Sequence, residues 1–166
     1  SYAIGADALN AKAVKNIFAV KGRNTKPLPV IVPDIKTAEK YYGLGDEARK
    51  LARKFMPGRL TIAARNKYPA PLAKLLGGFR IPSHSLARAI AKGLGNPVTA
   101  TSANISDKPP IYNINDAIRT FGESTALIID AGNLPRRMPS TVFDITRKKI
   151  LREGPVSMRQ ISRALI

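Results

Sequence analysis

Pro97-Val-Thr-Ala-Thr-Ser-Ala-Asn104 is the stretch on which the reading of this chain turns. Gly93 and Gly95 punctuate the end of a helix before it. The run itself reads as a short buried strand opening into small polar residues, with Ser102 and Asn104 spaced i, i+2. At the carboxyl end of a strand in an α/β sheet the backbone turns away and leaves hydroxyl and amide groups facing a crevice, where phosphate or carboxylate ligands bind. A Ser/Asn turn held by local backbone hydrogen bonds gives the same pattern, so the stretch alone leaves both readings open.

Upstream of it, Phe79-Arg-Ile-Pro82 suits a strand leading into a helix that buries Leu86, Ala89 and Ile90, with Arg80 and His84 flanking the junction. Arg80 beside the histidine suits a carboxylate or phosphate, although a lone histidine is more often structural. Pro69 to Leu76 predicts a short helical segment ended by Gly77-Gly78, and Leu60 to Ala64 a strand. Asp46 is read as the cap of a helix with Ala48, Leu51, Ala52 and Phe55 on one side, stopped by Pro57-Gly58; Asp34 caps a shorter one through Tyr41. Leu28 to Val32 is a strand. Asn10 caps a helix with Val14, Ile17 and Phe18 on its apolar face, closed by Lys21-Gly22. The basic loop Arg23 to Lys26 follows, so that Lys21, Arg23 and Lys26 are placed to converge on a phosphate; cations at a helix C-terminus also simply complement its dipole. Ser1 to Gly5 reads as the tail of a strand already under way.

Downstream, Ser106 to Pro110 is a loop, Asn115 is read as the cap of a helix containing Ala117, Ile118 and Phe121, and Leu127-Ile-Ile-Asp130 as a buried strand. Gly132 to Pro139 is a basic loop of a length that often carries function. Thr141 to Ile145 and Lys149 to Arg152 are strands, and Ser157-Met-Arg-Gln160 is a capping box that opens a last helix through Leu165. The irregular alternation of strands and helices argues for a mixed α/β sheet rather than a strict βαβ repeat.

The length of 166 residues suits one domain spanning 1–166. Lys and Arg number 28 against 11 Asp and Glu, a formal charge of +17, which favours RNA, DNA or nucleotide phosphates as partners. With no cysteine and a single histidine, His84, neither a disulfide framework nor a multi-histidine zinc site is available. No signal peptide or membrane-spanning apolar run is visible, so the expectation is a cytoplasmic protein with no membrane partner. There is no G-x-G-x-x-G, P-loop, G-x-S-x-G elbow or acidic metal-binding cluster.

Several separated stretches, taken together, resemble the YrdC/Sua5 family. They are Tyr2-Ala-Ile-Gly-Ala-Asp-Ala8 with Lys21-Gly-Arg23, Arg80-Ile-Pro-Ser-His84, Ala100-Thr-Ser-Ala-Asn104 with Lys108-Pro109, and Ser140-Thr-Val with Leu151-Arg-Glu-Gly154, in the family's own order over essentially the whole chain. The resemblance implies an open, twisted mixed sheet flanked by helices, with a basic concave face. It also implies an L-threonylcarbamoyladenylate synthase, which makes threonylcarbamoyl-AMP and pyrophosphate from ATP, bicarbonate and L-threonine. The product passes to a threonylcarbamoyl transferase complex that modifies adenosine 37 of tRNA.

Carried over by motif, Lys21, Arg23, Ser102 and Asn104 match the family's K-x-R and S-x-N signature around the ATP phosphates and are the expected catalytic set. Lys26, Arg80 and Arg152 are further expected ATP contacts, and Tyr2, Arg80, His84, Ala100 and Ser140 are expected on the threonine side. Mg2+ is expected to arrive with the ATP. The sequence departs from the family pattern at Asn24, where proline is common, in a loop to Pro27 one residue short, and at Pro110, where serine is common. The P-T-x-T motif and first strand that usually precede the tyrosine are expected to be missing from the chain. Two other readings compete with the synthase: a non-catalytic RNA-binding module of the same fold, taking tRNA or double-stranded RNA, and a different carbamoyl-transfer enzyme. The lack of zinc-finger-like cysteines disfavours the latter.

Overall fold

The computed structural model describes residues 1–22 and 26–166. Strand β1 (Ala3–Ile4) leads into helix α1 (Ala11–Lys21). Asn10 accepts a hydrogen bond from Ala13 N at 3.0 Å as its cap, and Gly22 closes it in the left-handed region at φ 59°, where glycine has no Cβ to clash. Strand β2 (Leu28–Ile31), helix α2 (Ile35–Tyr41), helix α3 (Asp46–Phe55) and strand β3 (Leu60–Ala63) follow. Asp34 caps α2 as expected, but the cap of α3 is Gly45, and Asp46 occupies the first turn beside Glu47, where a carboxylate complements the helix dipole.

Helix α4 is only Leu72–Leu75, and strand β4 starts at once, Leu76–Arg80. Gly77 and Gly78 therefore lie inside a strand and do not end a helix. The reason is contact: a Cβ on Gly78 would sit 2.4 Å from the Ile62 carbonyl oxygen, so the two backbones approach where only glycine fits. Helix α5 (Ser85–Leu94) also differs from expectation. Leu86, Ala89 and Ile90 are exposed, and the residue it buries is Ala91, because the helix touches the sheet along its small-residue side.

Pro97 to Asn104 forms two short strands rather than one. Strand β5 (Val98–Thr99) pairs antiparallel with β2, whereas strand β6 (Thr101–Ser102) pairs antiparallel with β1 through Ala3↔Ser102 and Ile4↔Thr101. Ala100 is the crossing point, its N–H held by the Pro29 carbonyl at 2.9 Å. Helix α6 (Ile114–Phe121) is capped by Asn113, whose side chain accepts from Asn115 N and Asp116 N, two residues before the expected cap. A 3-10 turn, Gly122–Ser124, follows it.

Leu127 to Asp130 is not a buried strand. It forms no ladder, and Leu127 is 78% exposed. A run of three apolar residues acquires strand geometry only against a pairing neighbour, and none flanks it among the described residues. The chain ends with strand β7 (Thr141–Asp144), strand β8 (Lys149–Arg152) and helix α7 (Met158–Leu165), with the Ser157/Gln160 capping box formed as read.

The larger sheet runs β5-β2-β4-β3-β7-β8, with β2/β4 and β3/β7 parallel and the remaining pairs antiparallel: a mixed, open sheet flanked by helices. Leu28, Val30, Leu60, Ile62, Phe79 and Phe143 are fully buried on it. Each such burial contributes about 1.5–3 kcal/mol, whereas an exposed ion pair such as Arg49–Glu39 contributes about 0–1, so the sheet is held by its apolar face. No described helix is long and apolar enough to cross a membrane.

Candidate active site

The first cluster forms where the end of α1 meets the end of β6. Lys21 is only 2% exposed. Its ammonium donates to the Ser102 carbonyl at 2.5 Å, the Asn104 carbonyl at 2.7 Å and Asn104 Oδ1 at 3.2 Å. These acceptors among the described residues meet the N–H groups of the lysine, which is how a buried ammonium is tolerated. Ser102 Oγ donates to Asn104 Oδ1 at 2.6 Å, and Asn104 Nδ2 donates to the carbonyls of Ile105 at 2.9 Å and Lys108 at 2.8 Å. Ser106 N closes the loop onto the Lys21 carbonyl at 2.8 Å. The lysine therefore organises the Ser-x-Asn loop and sets a positive charge beneath it. Among the described residues Ser102 makes no hydrogen bond to a histidine, so nothing here activates it as a nucleophile.

The second cluster crosses the middle of the larger sheet. Register pairs Thr61 with Val142 and Val142 with Arg152, and Ile62 with Phe79, next to Arg80, so Arg80, Thr61 and Arg152 lie in one row across β4, β3, β7 and β8. Arg152 Nε and Nη2 donate to the Ser140 carbonyl at 3.0 and 2.8 Å, Nη2 also reaches Ser140 Oγ at 3.0 Å, and that hydroxyl lies 2.9 Å from Thr61 Oγ1. Beside them, Thr141 Oγ1 donates to the Val156 carbonyl at 2.8 Å and accepts from Val156 N at 3.0 Å.

Arg80 Nε is buried with no hydrogen-bond partner. Burial, and then the neighbouring charges of Arg152 and Arg59, hold the Arg80 guanidinium below its ordinary pKa, and burial does the same to Arg152. The ion pairs among the described residues engage Arg49, Arg119, Arg147 and Lys148, none of them in this cluster. A buried, unpartnered guanidinium N–H amid like charges and hydroxyls is chemically a receptor for an oxyanion.

The expected site residues thus gather in two groups, Lys21, Ser102 and Asn104 in one, at the end of β6 in the small β1-β6 sheet, and Arg80, Ser140 and Arg152 in the other, on the larger sheet. Ala100 lines the seam through its backbone bond to Pro29. Tyr2 is tied to the first group, since Ala103 N donates to its carbonyl at 3.0 Å. Its hydroxyl is engaged elsewhere, donating to the Gly132 carbonyl at 2.7 Å and accepting from Ala131 N at 3.0 Å, so Tyr2 anchors the basic loop 132–139. His84 is exposed just before α5, and its side chain does not cap that helix. Lys26 is exposed. Arg23, with Asn24 and Thr25, lies outside the described residues. Sequence reading passed over Thr61 and Arg59: a threonine in a strand looks like ordinary β-propensity, and a lone arginine after Pro57-Gly58 looks like a solvated turn.

Comparison with known proteins follows the same lines. The Sua5/YciO/YrdC family model, described as telomere recombination, matches residues 1–154. A Methanocaldococcus jannaschii protein that carries the provisional name threonylcarbamoyl-AMP synthase is 36% identical over 167 residues, covering 98% of this chain and 79% of that one. The threonylcarbamoyl-AMP synthase of Thiobacillus denitrificans is 30% identical over 157 residues, 91% of this chain and 83% of its own. The crystal structure of Pyrococcus abyssi Sua5 complexed with L-threonine aligns with a TM-score of 0.87 at 32% identity, over 98% of this chain and 50% of that one. The chain spans about half the length of that protein.

Proposed function

This chain belongs to the Sua5/YciO/YrdC family, whose curated relatives are nucleotidyltransferase-type enzymes, and from that premise we propose that it is an L-threonylcarbamoyladenylate synthase. The observation that carries the reading is the carboxylate-free row of Arg80 and Arg152, with Arg80 Nε buried and unpartnered, on the same fold as a Sua5 that was solved with L-threonine. In the reaction, the threonine amine attacks bicarbonate-derived carbon to give a carbamate with loss of water. A carbamate oxygen then attacks the α-phosphorus of ATP, the bond to the β-phosphate bridging oxygen breaks, and pyrophosphate leaves. Two anions must approach a polyphosphate, and fixed cations offset that repulsion and stabilise the departing charge.

In this reading Ser102 and Asn104, held in shape by Lys21, form one wall of the ATP pocket, with Arg23 and Lys26 as further phosphate contacts. Arg80 and Arg152 form the other wall. Tyr2, Arg80, His84, Ala100 and Ser140 border the threonine. Positioning supplies much of the rate, because the loops are already fixed by hydrogen bonds before a ligand arrives. Among the described residues no three His, Cys, Asp or Glu side chains gather as a metal site. The donors for Mg2+ in this proposal are therefore the triphosphate oxygens, and the ion is treated as part of the nucleotide.

The charge of +17 supports contact with tRNA or double-stranded RNA, and in this reading the product passes to a threonylcarbamoyl transferase complex in the cytoplasm. The test is pyrophosphate release from ATP that depends on both L-threonine and bicarbonate. Ser102→Ala is expected to lower it by more than about tenfold. Release indifferent to threonine would overturn the reading.

A further inference from the structure

We infer that Arg136, seated on the ring of Tyr112, is a positioning residue: it latches segment 131–139 as a strap that ties the Ser-x-Asn wall to the strands carrying Arg80 and Arg152. This rests on the synthase reading only for what the two walls hold between them.

The first half of the segment stands on the framework of the Ser-x-Asn loop. Tyr2 N donates to the Ile111 carbonyl at 2.9 Å, Ile111 N to the Ala103 carbonyl at 3.0 Å, and Ala103 N to the Tyr2 carbonyl at 3.0 Å, so that framework carries both Tyr2 and Tyr112. The Tyr2 hydroxyl holds Ala131 and Gly132, the Tyr112 carbonyl accepts Leu134 N at 2.9 Å, and Asn113 Nδ2 donates to Asn133 Oδ1 at 2.6 Å. The central carbon of the Arg136 guanidinium then lies 5.5 Å from the centre of the Tyr112 ring. The second half leaves for the larger sheet. There the Met138 carbonyl accepts Arg59 Nη2 at 3.1 Å, and buried Ser140 is held through its carbonyl by Arg152.

The crossing between these anchorages is short and stiff. Four residue steps separate Arg136 from Ser140, so the two ends lie within about 14 Å of each other. Pro135 and Pro139 each fix a backbone angle at its margins. The hold next to the crossing is the one between Arg136, which is exposed, and half-buried Tyr112. A cation–π contact at such a site is weak, so it opens and closes while the hydrogen bonds before it persist. The walls carry groups for different parts of the reactants. Their relative placement therefore governs alignment more than the affinity of either reactant alone.

The test is steady-state turnover together with limited trypsin digestion, on wild type, Arg136→Ala, Arg136→Lys, Tyr112→Leu, Tyr112→Phe and, as a control of equal charge, Arg137→Ala. Arg136→Ala and Tyr112→Leu are expected to lower kcat by about two- to fivefold, with KM for ATP and for L-threonine within about twofold of wild type. Tyr112→Phe keeps the ring face and Arg137→Ala keeps the latch, so both should match wild type; Arg136→Lys keeps only the cation and should fall between. Trypsin cuts after exposed Arg137, and Tyr112→Leu should be cut there about two- to fivefold faster, because cleavage follows the population of the opened strap. Wild-type kcat in Arg136→Ala, a loss confined to KM, or an equal fall in Arg137→Ala would overturn the inference. Unchanged cleavage of Tyr112→Leu overturns it whether or not the protein turns over. Faster cleavage of Tyr112→Leu, where the wild type shows no threonine-dependent turnover, leaves the strap standing and removes the synthase.

Discussion

The Lys21 ammonium reaches across 81 residues of sequence to the Ser102 carbonyl and across 83 to that of Asn104, joining the end of α1 to the Ser-x-Asn loop from inside the protein. Charge here acts as a structural joint as well as a field source. Lys21→Met fills a similar volume but leaves those acceptors without donors. It is expected to lower unfolding free energy by about 1–3 kcal/mol, read from the urea midpoint, and to weaken ATP binding in parallel. An unchanged midpoint would refute the joint.

Arg80 gives the opposite sign. Its burial among cations costs stability in the free protein, and breaking up such a set with an apolar residue of similar length relieves it. Arg80→Met is therefore expected to melt a few degrees higher than wild type in a low-phosphate buffer, by roughly the 2–4 °C that 1 kcal/mol corresponds to in a domain of this length. Added pyrophosphate should raise the wild-type melting temperature and leave Arg80→Met unmoved. Thermal unfolding with and without pyrophosphate checks both halves.

Gly154 presses against the segment that Arg152 holds. A Cβ there would lie 2.3 Å from Thr141 N and 2.7 Å from the Pro139 carbonyl oxygen, both backbone atoms that cannot swing aside. Gly154→Ala must displace the Pro139–Thr141 strand entry, so it is expected to cost about 1–3 kcal/mol and to lower turnover by more than the stability loss accounts for. Wild-type kinetics in a folded Gly154→Ala protein would show that the strand entry tolerates the shift.

Asp34 provides a pH signature. The Thr37 N–H, at 2.7 Å, is the main cause that holds its carboxyl below the usual carboxylate pKa; burial opposes it, and the Thr37 side chain and the charges of Lys36 and Lys40 act with it. Because the folded-state pKa is depressed, its contribution is complete above the unfolded value near 3.8 and is lost as pH falls through the lower folded value. Asp34→Ala is expected to cost about 1 kcal/mol at pH 7, the usual worth of a cap, with the gap from wild type narrowing below pH 4. Urea titrations at the two pH values would measure it.

Much of this architecture was legible in local chemistry. Asn10, Gly22, Asp34 and the Ser157/Gln160 box declared helix ends, because capping is decided within a few residues. The positions of Lys21, Ser102 and Asn104 in one cluster followed from the family motif, while their hydrogen bonds required coordinates. The misreadings share a cause. Gly77-Gly78 resembles a helix stop until the approach of Ile62 is known, and Leu127 to Asp130 resembles a strand until its ladder is sought. Arg80, Ser140 and Arg152 were expected from the family motif, whereas Thr61 was passed over, because these residues come from four strands and their margins and only register brings them into line.

The crossing at Ala100 also bears on the order in which the molecule assembles. The β1–β6 pair closes a loop of roughly a hundred residues for only two residues of ladder, an entropic cost that so short a pair does not recover by itself. Its closure waits on α1 delivering Lys21 and on β2 receiving β5. The Ser-x-Asn wall is accordingly expected to open before the larger sheet does. Amide hydrogens of Ala103 and Ser106 should exchange through local opening, while those of Ile62 and Phe143 exchange only when the whole sheet comes apart. A ligand seated on Ser102 and Asn104 would slow exchange at that wall before it altered the sheet behind it.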